Sequence, residues 1–429
     1  MLRGKIFTPR GLTGIHKAIN AELRLNGLLT RNGMIEEIKT LDSVSRLRIP
    51  QSVWVPLIEC RIDSRKDFTS ALDGVDWSAL PSLKSHGPRI TITRDSATFD
   101  DDRARSELLQ EFRHRMMQYG LEKNEFSIRI DHENILSVQT NAVPPRPWLD
   151  SPMDLTLAEK SIDWGSVNPD VSRPTEPSDN AIKIFRNESS LSCLCAGFLQ
   201  STPGLTDWIN GSQENMLVWD PFAGNGSLLM ELVQFLSDRP AASQKDLTIV
   251  INVKTRESLR LIERRLEKWS NSTGIEIQEQ KESGPAETIS KQRGRKSKQA
   301  SQDVDDEDVV AEVHVDGRMK SVHMKMGNYK IALHSASVPF QETIPFIHGG
   351  MALSHIPKTY NELLGIDKHD LSEWTAFGNL VKSHPKLDVS MFTETDSFIK
   401  YSKMKFSKCV QLVSPSGRLV GSFNRWLGI

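Results

Sequence analysis

Apolar residues recur along this chain at two kinds of spacing, and the change between them falls near residue 181. Before it, residues 5–8 read as a strand, 9–11 as a turn, and 12–25 as an amphipathic helix, followed by the apolar strand at 53–60. Residues 88–93 alternate with period two, as a half-buried strand does. Residues 104–119 set Leu108, Leu109, Phe112 and Met116 on one side of a helix, and 126–130 with 134–139 close as a hairpin. This mixture predicts two small α+β units, residues 1–62 and 63–148. Residues 149–180, rich in Pro, Ser and Asp and without a sustained period, read as a linker.

From 181 to 429 apolar strands alternate with helices, the mark of a parallel α/β sheet. Strands are expected at 216–219, 246–253, 329–334, 350–354 and 387–393, with helices at 227–236 and 256–269. Residues 279–310 interrupt this pattern with a basic block around Lys291–Lys298 and an acidic one at 303–308. Segregated charge of this kind cannot bury a core and predicts a disordered surface insertion, or a tether for RNA or a protein partner.

One segment carries chemistry. In Trp219-Asp-Pro-Phe-Ala-Gly-Asn-Gly-Ser-Leu-Leu-Met-Glu231 a buried strand ends at Asp220. Gly224 and Gly226 then allow a tight turn with backbone close to a ligand, and a helix follows whose first N–H groups can meet polar ligand atoms. The alternative is a strand-to-helix turn that holds nothing. The run Asp-Pro-Phe-Ala-Gly-x-Gly-Ser resembles the cofactor loop of class I methyltransferases that act on nucleic acids.

The wider chain resembles the THUMP-containing guanine-N2 RNA methyltransferases, in particular the bacterial large-subunit rRNA enzyme and its relatives. The matching segments are Gly4-Lys-Ile-Phe-Thr-Pro-Arg-Gly-Leu-Thr-Gly-Ile15, Ser43-Val-Ser-Arg-Leu-Arg48, residues 90–143, Asn187–Ala196, Tyr360–Leu364, Phe377-Gly378 and Asp388–Phe392. The resemblance implies a Rossmann-like class I methyltransferase domain at 181–429, preceded by a ferredoxin-like/THUMP module. It implies S-adenosylmethionine as cofactor, held by Asp220, Pro221, Phe222, Ala223, Gly224, Gly226 and Asn252. It also implies structured RNA, rRNA or tRNA, as partner, and the basic residues Arg94, Arg103, Arg105, Arg113 and Arg115 are the candidates for phosphate contact; a solvated helix face is the other reading.

Two places depart from the family pattern. Asn252 and Lys254 stand where the family has acids that accept from the cofactor ribose. Losing a charge-assisted acceptor costs roughly 1.5–3 kcal/mol, about tenfold to a hundredfold in affinity, which Asn252 or Glu257 would recover only in part. The family's Asn/Asp-Pro-Pro-Tyr/Phe acceptor motif aligns with Leu353-Ser-His-Ile-Pro-Lys358. His355 takes the place of the polar acceptor, Pro357 keeps one proline, and Lys358 replaces the aromatic, with Tyr360 as a substitute ring. A neutral His355 can accept one hydrogen bond; the alternative is a surface or capping histidine.

Composition narrows the partners little. The formal net charge is -1 with 25% charged residues, so any nucleic-acid surface must be local. Cys60, Cys193, Cys195 and Cys409 lack zinc-site spacing and read as buried small hydrophobes in a reducing compartment. No apolar run approaches the roughly 20 residues that span a bilayer. The acid-free, Arg/Lys-bearing first 20 residues fit either a mitochondrial transit peptide or the first strand and helix of the fold, so localisation reads as cytoplasmic or mitochondrial. Three functions stay open: an active guanine-N2 RNA methyltransferase, a catalytically degenerate RNA-binding or ribosome-assembly factor, and an enzyme for a small methyl acceptor.

Overall fold

The computed structural model describes residues 2–80, 89–94, 102–149, 188–279, 320–336, 350–357 and 372–426, apart from single positions and pairs within those spans. The expected linker after Leu149, the charged insertion after Glu279, Lys254, Lys358 and Tyr360 lie outside the described residues.

The first 149 residues build one seven-stranded sheet in the order β2-β3-β1-β4-β7-β6-β5. The strands are β1 (Leu2–Phe7), β2 (Thr30–Arg31), β3 (Met34–Ile38), β4 (Ser52–Arg61), β5 (Arg89–Arg94), β6 (Glu125–Ile130) and β7 (Ile135–Asn141). Helices α1 (His16–Leu25), α2 (Leu41–Ser45), α3 (Arg65–Asp73) and α4 (Asp102–Gln118) accompany them. Segments 1–62 and 63–148 meet along β4 and β7, whose antiparallel register runs from Trp54↔Asn141 to Arg61↔Ile135. Pro56 is accommodated because the register shifts there, at a bulge where a missing N–H costs no ladder bond. On α4, Leu108, Phe112 and Met116 recur every fourth residue and are buried. Phe112 meets Phe126 and Trp77 edge to face, at 5.2 and 5.9 Å between ring centroids.

The second sheet has nine strands in the order β10-β11-β12-β9-β8-β13-β14-β16-β15. These are β8 (Asn215–Asp220), β9 (Lys245–Asn252), β10 (Ile277–Glu279), β11 (Lys320–Met326), β12 (Tyr329–Ala336), β13 (Met351–Ile356), β14 (Asp388–Thr393), β15 (Ser407–Val413) and β16 (Leu419–Trp426). The run β12-β9-β8-β13-β14 is parallel throughout, and antiparallel strands finish both edges. Its helices are α5 (Glu188–Gln200), α6 (Pro203–Asn210), α7 (Ser227–Ser237), α8 (Arg256–Thr273), α9 (Ser372–Ser383) and α10 (Asp396–Ser402). Numbered by appearance, the parallel strands lie 3-2-1-4-5, so the order reverses beside β8, where open α/β sheets form their ligand crevice.

The two sheets share one apolar core. Helix α1 packs on α5, where Gly197 leaves room for Ile15: a Cβ there would stand 2.7 Å from Ile15 Cδ1. Just before α1, Thr13 bridges to Val413 of β15, its N–H donating to the Val413 carbonyl at 2.8 Å. Gly14, at φ +91°, permits this approach, because a Cβ would collide with the Gln411 carbonyl. That contact explains why the helix expected from residue 12 begins at His16.

Charges are buried in the same interface. Arg146 Nε donates to Glu231 Oε1 at 3.0 Å, with the side chains 2% and 1% exposed, and its Nη2 donates to the Arg48 carbonyl. Glu22 of α1 accepts from the Arg48 and Ile49 N–H groups at 2.9 and 3.0 Å; burial nevertheless pushes its carboxyl up to about 7. Among the described residues no helix is long and apolar enough to cross a membrane.

Breaking the Arg146–Glu231 pair from one side leaves a buried, uncompensated charge. The Arg146→Met protein is expected to lose about 3–5 kcal/mol, and Arg146→Met with Glu231→Leu to regain most of it. Urea denaturation of the full chain checks both, and equal losses in the single and double variants would contradict the assignment.

Candidate functional site

At the reversal of strand order, two neighbouring strands part. β8 and β13 are registered only at Val218↔Met351 and Trp219↔Ala352. Beyond these pairs a side-chain contact takes over: Ser354 Oγ donates to Asp220 Oδ1 at 2.5 Å. The same oxygen accepts from Phe222 N–H at 3.1 Å, closing the start of the loop. Asp220 is 4% exposed. Burial, opposed by these two donors, pushes its carboxyl from 3.8 up to about 7.

The loop then turns through Gly224 at φ +52° and Gly226 at φ +77°, both in the left-handed region. The two glycines serve different needs. A Cβ on Gly226 would meet Ile262 of α8 at 2.5 Å, so its bare backbone is required by packing. A Cβ on Gly224 would meet the Phe222 carbonyl at 3.8 Å, an ordinary contact, so there the left-handed backbone rather than crowding asks for glycine. Helix α8 holds the loop from behind: buried Arg265 donates to the Asn225 carbonyl at 2.8 Å. Asn225 Oδ1 in turn accepts from Ser227 N–H and Oγ at 3.2 and 3.0 Å, meeting one of the helix-start donors that the sequence offered to a ligand. Phe222 packs against Phe377 and Phe398 at 5.3 and 6.1 Å.

Asn252 ends β9 beside this loop, and its carbonyl accepts from Ala223 N–H at 3.0 Å. Its side-chain oxygen accepts from Trp219 Nε1 at 3.0 Å, and the residue is 2% exposed. The oxygen that was to replace a ribose-binding carboxylate is therefore already engaged inside the protein. Glu257, the other substitute, is exposed in the first turn of α8. Glu231, the acid within the motif, points into the interface with Arg146.

His355 lies near the end of β13 and Pro357 just past it, exposed. The imidazole rests on the Phe392 ring, centroids 4.6 Å apart at 32°, and its Nε2 stands 3.8 Å from Glu394 Oε1. Ser354 and Phe392 lie inside segments the sequence resemblance marked, whereas Glu394, just past β14, had no sequence signal.

The arginines belong to the other sheet. Arg94 ends β5, paired with Ile130; the side chains of Arg94 and Arg105 lie outside the described residues. Arg103 pairs with Glu107 at 3.3 Å, Arg115 pairs with Asp73, and Arg113 is exposed. Cys193 and Cys195 are buried as expected, whereas Cys60 is half-buried and Cys409 exposed, so the burial expectation holds for two of the four. No metal-holding group of His, Cys, Asp or Glu occurs among the described residues.

By sequence the chain matches no known family and no curated protein. Solved structures similar over 100% of this chain include TrmN from Thermus thermophilus, at 12% identity and TM-score 0.45 over 100% of its chain. SMU.472 in its complex with SAH gives 10% and 0.46 over 98% of its chain. A predicted N6-adenine-specific DNA methylase from Listeria monocytogenes gives 9% and 0.43 over 96%. The mixed α/β assignment rests on the strand order and register above.

Asp220 yields a pH test. A carboxyl that binds its proton more tightly when folded favours the fold at low pH, and that stability is lost as pH rises from about 4 through 7. Glu22 acts in the same direction. Asp220→Asn keeps the oxygen that serves Ser354 and Phe222 but removes the titration. Its stability is expected to match the wild type near about pH 4 and exceed it by a few kcal/mol, order of magnitude, at about pH 8. Denaturation curves across that range check this; parallel pH profiles would refute the assignment.

Proposed function

We propose that this chain is an S-adenosylmethionine-dependent RNA methyltransferase whose acceptor is the N2 amine of a guanine in structured rRNA or tRNA. The observation that carries the reading is Gly224. It lies in the loop that follows the first parallel strand, at the point of strand reversal, in a left-handed conformation where the nearest atom to a Cβ would be the Phe222 carbonyl oxygen, at 3.8 Å without a clash. A loop so placed lets a nucleotide cofactor approach the backbone directly. Pro221, Phe222 and Ala223 complete the loop floor, and Asp220 holds its entry. The cofactor would supply a sulfonium methyl group. On the protein's side, a neutral His355 would accept from the amine, and Pro357 would shape the turn beside it.

The N-terminal sheet, read as a ferredoxin-like/THUMP module, would hold the RNA through phosphate contacts at Arg94, Arg103, Arg105, Arg113 and Arg115. Arg113 is exposed, whereas Arg103 and Arg115 carry acidic partners that RNA would have to displace. A second reading, an RNA-binding assembly factor on a degenerate methyltransferase fold, is favoured by the engagement of Asn252 with Trp219.

Calorimetry with S-adenosylmethionine separates the two. The first reading expects binding by the wild type, none by Gly224→Val, and unchanged binding by Gly274→Val. Gly274 is equally left-handed, at φ +72°, but remote at the end of α8, so it controls for backbone strain. Binding by Gly224→Val, or none by the wild type, would end the cofactor reading.

RNA affinity of the full chain is expected to fall linearly in log–log form with salt, and Arg113→Ala to make that slope shallower by about one unit. A slope unchanged in Arg113→Ala would remove that residue from the interface.

A further inference from the structure

β13 and β14 run parallel with His355 opposite Phe392, and the imidazole rests on the Phe392 ring, centroids 4.6 Å apart. Nε2 is thereby buried, with no hydrogen-bond partner among the described residues, although the ring keeps 14% of its side-chain surface exposed. Glu394 Oε1 stands 3.8 Å from that nitrogen. Glu394 is 6% exposed, and its N–H donates to the Ile356 carbonyl at 2.9 Å. The backbone thus ties the carboxylate to the residue directly after His355. A gap of 3.8 Å is too long for a hydrogen bond, yet a small ring tilt would close it, and catalytic hydrogen bonds often tighten only once substrate is bound.

We propose that Glu394 is a positioning residue acting through His355; the proposal rests on the methyltransferase reading. Nε2–H donates to the Glu394 carboxylate, which selects that tautomer and leaves Nδ1 as the nitrogen with a free lone pair. The acceptor amine's lone pair forms the new N–C bond with the sulfonium methyl. The C–S bond breaks and its electron pair stays on sulfur, giving a neutral thioether. The proton shed by the amine nitrogen passes to Nδ1, and the imidazolium is held by Glu394 until that proton leaves to water. The departure at the acceptor motif thereby acquires a function. Where the family motif offers fixed acceptors, this chain offers a base oriented from the neighbouring strand.

The test uses the full-length protein with ¹⁵N-labelled histidine and, separately, methyl transfer from S-adenosylmethionine to total RNA of cells lacking the protein. The His355 ring of the wild type is expected to carry its proton on Nε2. Glu394→Leu should lose that preference and lower kcat about tenfold or more, with KM and cofactor affinity unchanged. Glu394→Gln keeps an acceptor and should recover the tautomer and part of kcat. In a His355→Ala background, Glu394→Leu should add nothing. An Nδ1–H tautomer in the wild type, or wild-type kcat in Glu394→Leu, overturns the proposal. A wild type that binds cofactor and transfers no methyl to any RNA overturns the methyltransferase reading, while the tautomer measurement still decides the Glu394–His355 contact.

Discussion

The interface between the two sheets encloses a desolvated ion pair, Arg146 with Glu231. Taking two charges out of water is expensive, and their attraction offsets that cost only when geometry is good and the remaining donors are met. Arg146 reaches Glu231 with Nε and the Arg48 carbonyl with Nη2. Separating the pair would leave a buried charge without its partner. Glu231 also lies in α7, the helix that begins where the glycine loop ends. The N-terminal sheet is thus braced against the helix that follows the glycine loop.

Much of this architecture was legible in the sequence wherever a strand or helix answers to its own neighbours. The alternation at 88–93, the apolar run at 216–219 and the glycine loop all fall where local pattern put them, as β5, β8 and the turn into α7. Other elements carry their own local signals. α3 opens with a reciprocal capping box between Ser64 and Asp67 and buries Phe68 and Leu72. What local pattern could not contain is pairing at a distance. Two units were expected up to residue 148, and β4 with β7 draws their strands into one ladder.

The candidate site divides along the same line. Its loop was legible because positive φ demands glycine and glycine is visible in sequence. The environment of each side chain was not. Asn252 was read as an acceptor facing a ligand, and Trp219 turns its oxygen inward. Glu231 was read as part of the loop motif, and Arg146 claims it from 85 residues away. The arginine run on α4 was read as a basic surface, yet Asp73 and Glu107 neutralise part of it.

The bridge between Thr13 and Val413 joins residues 400 apart in the chain. Closing so long a loop has an entropic cost that local contacts must offset, and the contact cannot exist until β15 is present. During synthesis, α1 therefore emerges long before α5 and β15 are there to cover its apolar side. The order of assembly is fixed by covalent sequence: an early sheet folds and waits, and a late one arrives to receive it. The contacts that α5 and β15 make with the start of the chain can form only once those late segments have been synthesised.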